Sequence, residues 1–241
     1  MMSWDEFSEN KPPTAAELRT LADQRRSSLD AEGIELNPLP KVPRNGAIAK
    51  SFWGKAWCRN LEAYSDYEYR LPRGRSYVRN GTVLDLQIEP QTVSAIVSGS
   101  ELYELTVNID PLAPETWAAL IAKCQGQIGS LVELLQGKLS DEIMALVIDK
   151  DTGLFPQPSE IHFNCNCPDW ADMCKHAAAA LYGVGLRLDE SPAVLFKLRG
   201  VDHTKLLTLE ATTEKMTRNK SSRRRLDADA VSDIFDIELG D

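Results

Sequence analysis

The stretch that decides this chain is Cys165-Asn166-Cys167-Pro168-Asp169-Trp170-Ala171-Asp172-Met173-Cys174-Lys175-His176. Its spacing, C-x-C-x6-C-x-H, gathers three of the five cysteines and one of the three histidines into twelve residues. Three thiolates and an imidazole are the donor set of a closed, tetrahedral zinc site with no position left for water. Side chains two apart in an extended segment share a face, so Cys165 and Cys167 can address one ion. Asn166 between them tolerates the tight turn that their convergence needs. Pro168 stops the strand, and Asp169 is placed to cap a turn around Trp170. Ala177-Ala178-Ala179-Ala180-Leu181-Tyr182 is a strong helix former. Cys174 then sits at or just before a helix N-terminus, with His176 in the first turn. Orphan N–H groups and the positive end of the helix dipole favour thiolates there. A disulfide is a poor alternative, because cysteines separated by one residue bridge badly.

The pattern resembles the SWIM zinc finger, C-x-C-x(n)-C-x-H. Phe163, Pro168, Asp169, Trp170, Lys175 and the run from Ala177 to Leu181 are also similar to that family. The family includes bacterial proteins linked to helicase-like remodelling ATPases, transposase-related proteins and some ubiquitin ligases. All four ligand positions match, so the resemblance implies Zn2+ held by Cys165, Cys167, Cys174 and His176. Ser51-Phe52-Trp53-Gly54-Lys55-Ala56-Trp57-Cys58 and Arg73-Gly74-Arg75-Ser76-Tyr77-Val78-Arg79-Asn80-Gly81 look like the N-terminal half of bacterial SWIM-finger proteins. The resemblance therefore covers roughly residues 50–200. It implies a helicase-like ATPase as partner and supplies no catalytic residue.

At 241 residues the chain has room for one domain, or two small ones, with a sizeable core. No apolar run is long enough to cross a membrane, and the N-terminus lacks the basic-then-apolar order of a signal peptide. The expected compartment is the cytoplasm, where thiols stay reduced and cysteine clusters bind metals. A net charge of −9 argues against a broad nucleic-acid-coating surface. Residues 41–80 are the exception, with nine cations against three anions.

Residues 1–45 read as a lead-in, a helix opened by the capping box Thr14-Ala15-Ala16-Glu17, and a proline-rich linker. Residues 46–147 read as an α+β domain. A helix over 53–64 puts Trp53, Trp57, Leu61 and Tyr64 on one face, which is a core stripe. Arg70 to Arg75 reads as a basic loop, and Ser76 to Val78 as a fourth strand joined through the Asn80-Gly81 turn. Three strands follow in 82–109 as an antiparallel meander with one face buried. Helices fill 110–147, ending near Gly137 and restarting at Ser140. Residues 148–200 hold the finger, a zinc-bound β-hairpin and helix beside the meander. Residues 201–241 carry a basic run and then an acidic-hydrophobic tail of the kind left disordered.

The catalytic case is poor. There is no complete phosphate-binding loop, no G-x-S-x-G and no H-E-x-x-H. Four protein donors leave the metal no open position. The reading is a non-enzymatic interaction module with no small-molecule substrate. Its partner is a protein, docked through the finger or through Ile234, Phe235, Ile237 and Leu239 of the tail. The alternative is direct DNA or RNA binding through Arg73, Arg75, Arg79 and Lys175, with Arg223, Arg224 and Arg225.

Overall fold

A computed structural model describes residues 13–64, 68–124 and 127–206. The basic run at 223–225 and the docking tail expected at 234–239 lie outside the described residues. The α+β class holds: eight α-helices and one four-stranded antiparallel sheet are described. No described helix is long and apolar enough to cross a membrane.

The sheet runs β1 (Val83–Glu89), β2 (Thr92–Ser98), β3 (Leu102–Ile109) and β4 (Ile161–Cys165), in that order. Its period-two pattern turns one face inward. Val93 lies opposite Val107, Ala95 opposite Leu105, and Val97 opposite Tyr103. The register carries one inward row across all four strands, from Leu86 through Ala95 and Leu105 to Cys165. The first metal-ligand candidate is therefore an extension of the core row. The strand that leads into the Cys/His cluster is the sheet's fourth strand, paired antiparallel with β3. The expected strand at 76–78 does not form, because those residues belong to a helix.

That helix is α3 (Leu71–Arg79), described below with its neighbours. The first helix, α1 (Ala15–Ala31), opens with the expected capping box: Thr14 accepts from Glu17 N–H, and Glu17 accepts from Thr14 N–H. Ala22 and Leu29 pack on Leu84, which bulges out of β1 register to meet them. Arg25 donates to the carbonyls of Gly99, Ser100 and Glu101, clasping the β2–β3 turn. The N-terminal helix is thus part of the fold.

α2 (Phe52–Glu62) buries Trp53, Trp57 and Leu61 completely, as the stripe predicts. Both indoles find acceptors, the Leu134 carbonyl at 3.0 Å and the Leu181 carbonyl at 2.7 Å. These rings are core, with no face left for stacking on a ligand. α4 (Pro114–Cys124), α5 (Leu131–Gln136) and α6 (Asp141–Val147) pack on the same core, and Gly137 ends α5 in the left-handed region.

The centre of the molecule is α7 (Lys175–Glu190), followed by α8 (Ala193–Leu198). Its run from His176 to Leu186 is buried on every side. A helix without a polar face belongs in the middle of a core. α3 crosses it at Gly74, where an added Cβ would meet Ala178 Cβ at 2.5 Å. The chain expected as a basic loop is therefore a helix held by packing. Pro72 occupies its first turn, and Gly74 supplies the close approach that overrides its low helix propensity. At the far end of α7, Asp189 accepts from the N–H groups of Lys50 and Ser51, tying down the entry to α2.

Candidate metal centre

Three local structures converge on one point. β4 delivers Cys165 on the core face of the sheet edge. The loop after it delivers Cys167. Asn166 stays attached to β3, its N–H donating to the Glu104 carbonyl and its side chain accepting from Glu104 N–H. That pair of bonds fixes the bend between the two cysteines. Cys174 is the N-cap of α7, its Sγ accepting from Ala177 N–H at 3.4 Å, and His176 follows in the first turn. Both positions match the sequence reading.

The four donor atoms all lie within 4.8 Å of one another. His176 Nδ1 is 3.9 Å from Cys165 Sγ and 3.8 Å from Cys174 Sγ. A tetrahedral ion with metal–sulfur bonds of about 2.3 Å spaces its sulfurs by about 3.8 Å, so this cluster is already close to ligand spacing. His176 is fully buried, and its Nε2 has no hydrogen-bond partner among the described residues. Rings hold it instead: Tyr103 stacks on it at 4.1 Å between centroids, and Tyr77 meets it edge-on at 5.4 Å. The imidazole orientation usually set by an outer hydrogen bond is set here by two tyrosines. Sequence reading missed both, although Tyr103 falls on the inward phase of β3.

The thiols depend on one another. Cys174 is drawn down to about 3, first by its hydrogen bond with Cys165, against burial, with His176 and the Ala177 N–H adding to the effect. Cys165 is pushed up, first by that same bond and then by burial. Cys167 is raised by burial. A central cation would favour the ionised form of all three sulfurs. The cluster is a site that could hold a metal ion.

The loop between Cys167 and Cys174 is anchored at one point. Asp169 accepts from Arg70 at 2.8 Å and from Ala171 N–H at 3.4 Å, so it makes the expected turn and also ties the loop to the start of α3. Trp170 beside it is 94% exposed. It lines an open groove of about 1280 Å3 together with Tyr69, Arg70, Arg73 and Phe163. Tyr69, one of the aromatics interleaved with the cations of residues 41–80, is 86% exposed.

The other expected binding cations divide. Arg73 is exposed and faces that groove. Lys175 lies over the Tyr77 ring at 6.0 Å. Arg75 and Arg79 turn away to the far side of α3, where Arg75 pairs with Glu62 at 2.8 Å and Arg79 donates to the Gly46 carbonyl. The structure does not bring the four together. Among the histidines, His162 pairs with Asp110 at 3.0 Å, outside the donor cluster.

No family model matches the chain, and no solved structure matches it. An uncharacterized protein of Mycobacterium tuberculosis, Rv2102, is 33% identical over 165 residues, which is 67% of this chain and 59% of that protein. The chain is thus similar to about three fifths of the length of that relative.

Proposed function

We propose that this chain is a SWIM-type zinc finger protein: a non-enzymatic interaction module that binds Zn2+ through Cys165, Cys167, Cys174 and His176. The observation that carries the reading is the cluster itself, four protein donors at ligand spacing with the histidine fully buried. A thiolate-rich, closed set suits zinc over harder ions, and it leaves no open coordination position for catalysis. Zinc there would contribute folding energy, joining the sheet edge to the start of the central helix.

The interaction face is the groove beside the ligand loop. Trp170 and Tyr69, both almost fully exposed, line it together with the exposed Arg73. Trp, Tyr and Arg are the residue types that dominate protein interfaces, and an exposed Trp beside the anchored Asp169 is a ready anchor. The partner class is a protein, a helicase-like ATPase by resemblance. Titration of a purified helicase-like ATPase of the same organism, with wild-type chain and Trp170→Ala, tests this. Saturable binding lost in the variant supports the reading, and equal binding or none by the wild type contradicts it.

A second reading is direct DNA or RNA binding on the same face, favoured by the exposed Arg73 beside two exposed rings. It requires affinity that falls steeply with salt. Absence of oligonucleotide binding at low salt removes it.

A further inference from the structure

The far side of α3 carries a second concave site. Arg75 and Arg79 lie four residues apart on α3, and Lys55 and Arg59 lie four apart on α2. Both rows line one cavity of about 350 Å3, walled on its remaining side by residues 46–49. That volume falls in the range of about 300–1,000 Å3 usual for small-molecule sites. Among the described residues, Glu62 is the only carboxylate in the lining, against four cations.

Two of the cations are held in place. Arg75 donates to Glu62 Oε1 at 2.8 Å and to the Tyr182 hydroxyl at 3.1 Å, and Tyr182 donates to the same carboxylate oxygen at 2.8 Å. Tyr182 is fully buried in α7, so this arm of the pocket is fixed to the centre of the fold. Arg79 is held by the Gly46 carbonyl. Lys55 and Arg59 are exposed and form no ion pair among the described residues.

Like charges four apart on a helix repel, and here two such pairs converge on one cavity. A bound anion removes that repulsion. A concave wall with four cations against one carboxylate focuses a net positive field. Guanidinium forks match phosphate oxygens in pairs, and a lysine adds a compact charge. We propose that this pocket binds a small phosphate-bearing molecule, its phosphate or pyrophosphate group between the two rows of cations and its apolar part against Ile48 and Cys58.

The Cys58 thiol is pushed up to about 12, by burial first and then by Glu62 and Asp189, so it is a neutral floor and no nucleophile. A nucleic-acid strand fits the same cations less well. The cavity is closed on one side by residues 46–49, and a chain of net charge −9 repels an extended polyanion. None of the lining residues belongs to the metal-ligand cluster, so the pocket stands or falls independently of the metal centre.

The test is isothermal titration of the full, metal-loaded chain with pyrophosphate at low salt, beside Lys55→Ala/Arg59→Ala, Lys55→Gln and Arg73→Ala. Saturable binding at one site is expected, at least about tenfold weaker in the double variant, at least about threefold weaker in Lys55→Gln, and unchanged in Arg73→Ala, whose side chain lies on the other face. No binding at millimolar pyrophosphate would overturn the proposal. So would equal heats in wild type and both pocket variants, the result that extraction of the metal by pyrophosphate would give. A single-stranded oligonucleotide that binds more tightly than pyrophosphate, and competes with it, would overturn the assignment to a small ligand.

Discussion

The Cys3His cluster and the cationic pocket are built in opposite ways. The cluster takes its four donors from twelve consecutive residues: a strand end, a loop and a helix start. The pocket takes its four cations from two helices and is closed by a loop, and none of its charges is next to another in the chain. Metal coordination restricts residue type and spacing together, so it leaves a local signature. Charge convergence depends on how helices cross, and it leaves none. Both regions nevertheless share α7, which starts at the cluster and contributes Tyr182 to the network behind the pocket.

That shared helix gives ways to separate the two regions. Cys174→Ala removes one thiol of the cluster and the N-cap of α7 at once. It is expected to abolish metal retention and to lower Tm by more than about 10 °C, read by elemental analysis and calorimetry. An unchanged Tm would mean that the cluster holds nothing together. Gly74→Ala pushes a Cβ into the backbone and side chain of Ala178 where α3 crosses α7. Overpacking of this kind costs about 1–3 kcal/mol, measured by urea denaturation, and it should weaken pyrophosphate binding while leaving metal content intact.

Smaller effects sharpen the contrast. Arg70→Ala breaks a partly buried pair with Asp169 and is expected to cost about 1 kcal/mol or less. It frees the loop between Cys167 and Cys174, so backbone hydrogen exchange at residues 169–172 should become faster while pyrophosphate binding stays unchanged. Trp170→Ala should alter stability by less than about 0.5 kcal/mol, since the ring is 94% exposed. Its effect should fall on partner binding alone.

Much of this was readable from the sequence wherever local chemistry decides conformation. The capping box at Thr14 opens α1, the tryptophan stripe of α2 is core, and the alternation through 82–109 gives the three meander strands. The places that misled are those decided by tertiary contact. A proline and a glycine within Leu71–Arg79 read as a loop, yet Pro72 is harmless in a first turn and Gly74 is what lets α3 reach α7. Residues 161–165 carry a strand pattern, but nothing local says that the strand completes the meander and places Cys165 in its core row. The basic segment was visible as composition. Its division into Arg73 on one face and Arg75 with Arg79 on the other follows only once α3 is a helix.

The most direct test of the metal centre is X-ray absorption at the zinc edge on protein purified without added metal, with the stoichiometry measured on the same sample. The expected result is about one zinc per chain with a first shell of three sulfurs near 2.3 Å and one nitrogen near 2.0 Å. A metal-free chain, or a shell dominated by oxygen and nitrogen, would contradict the closed Cys3His site.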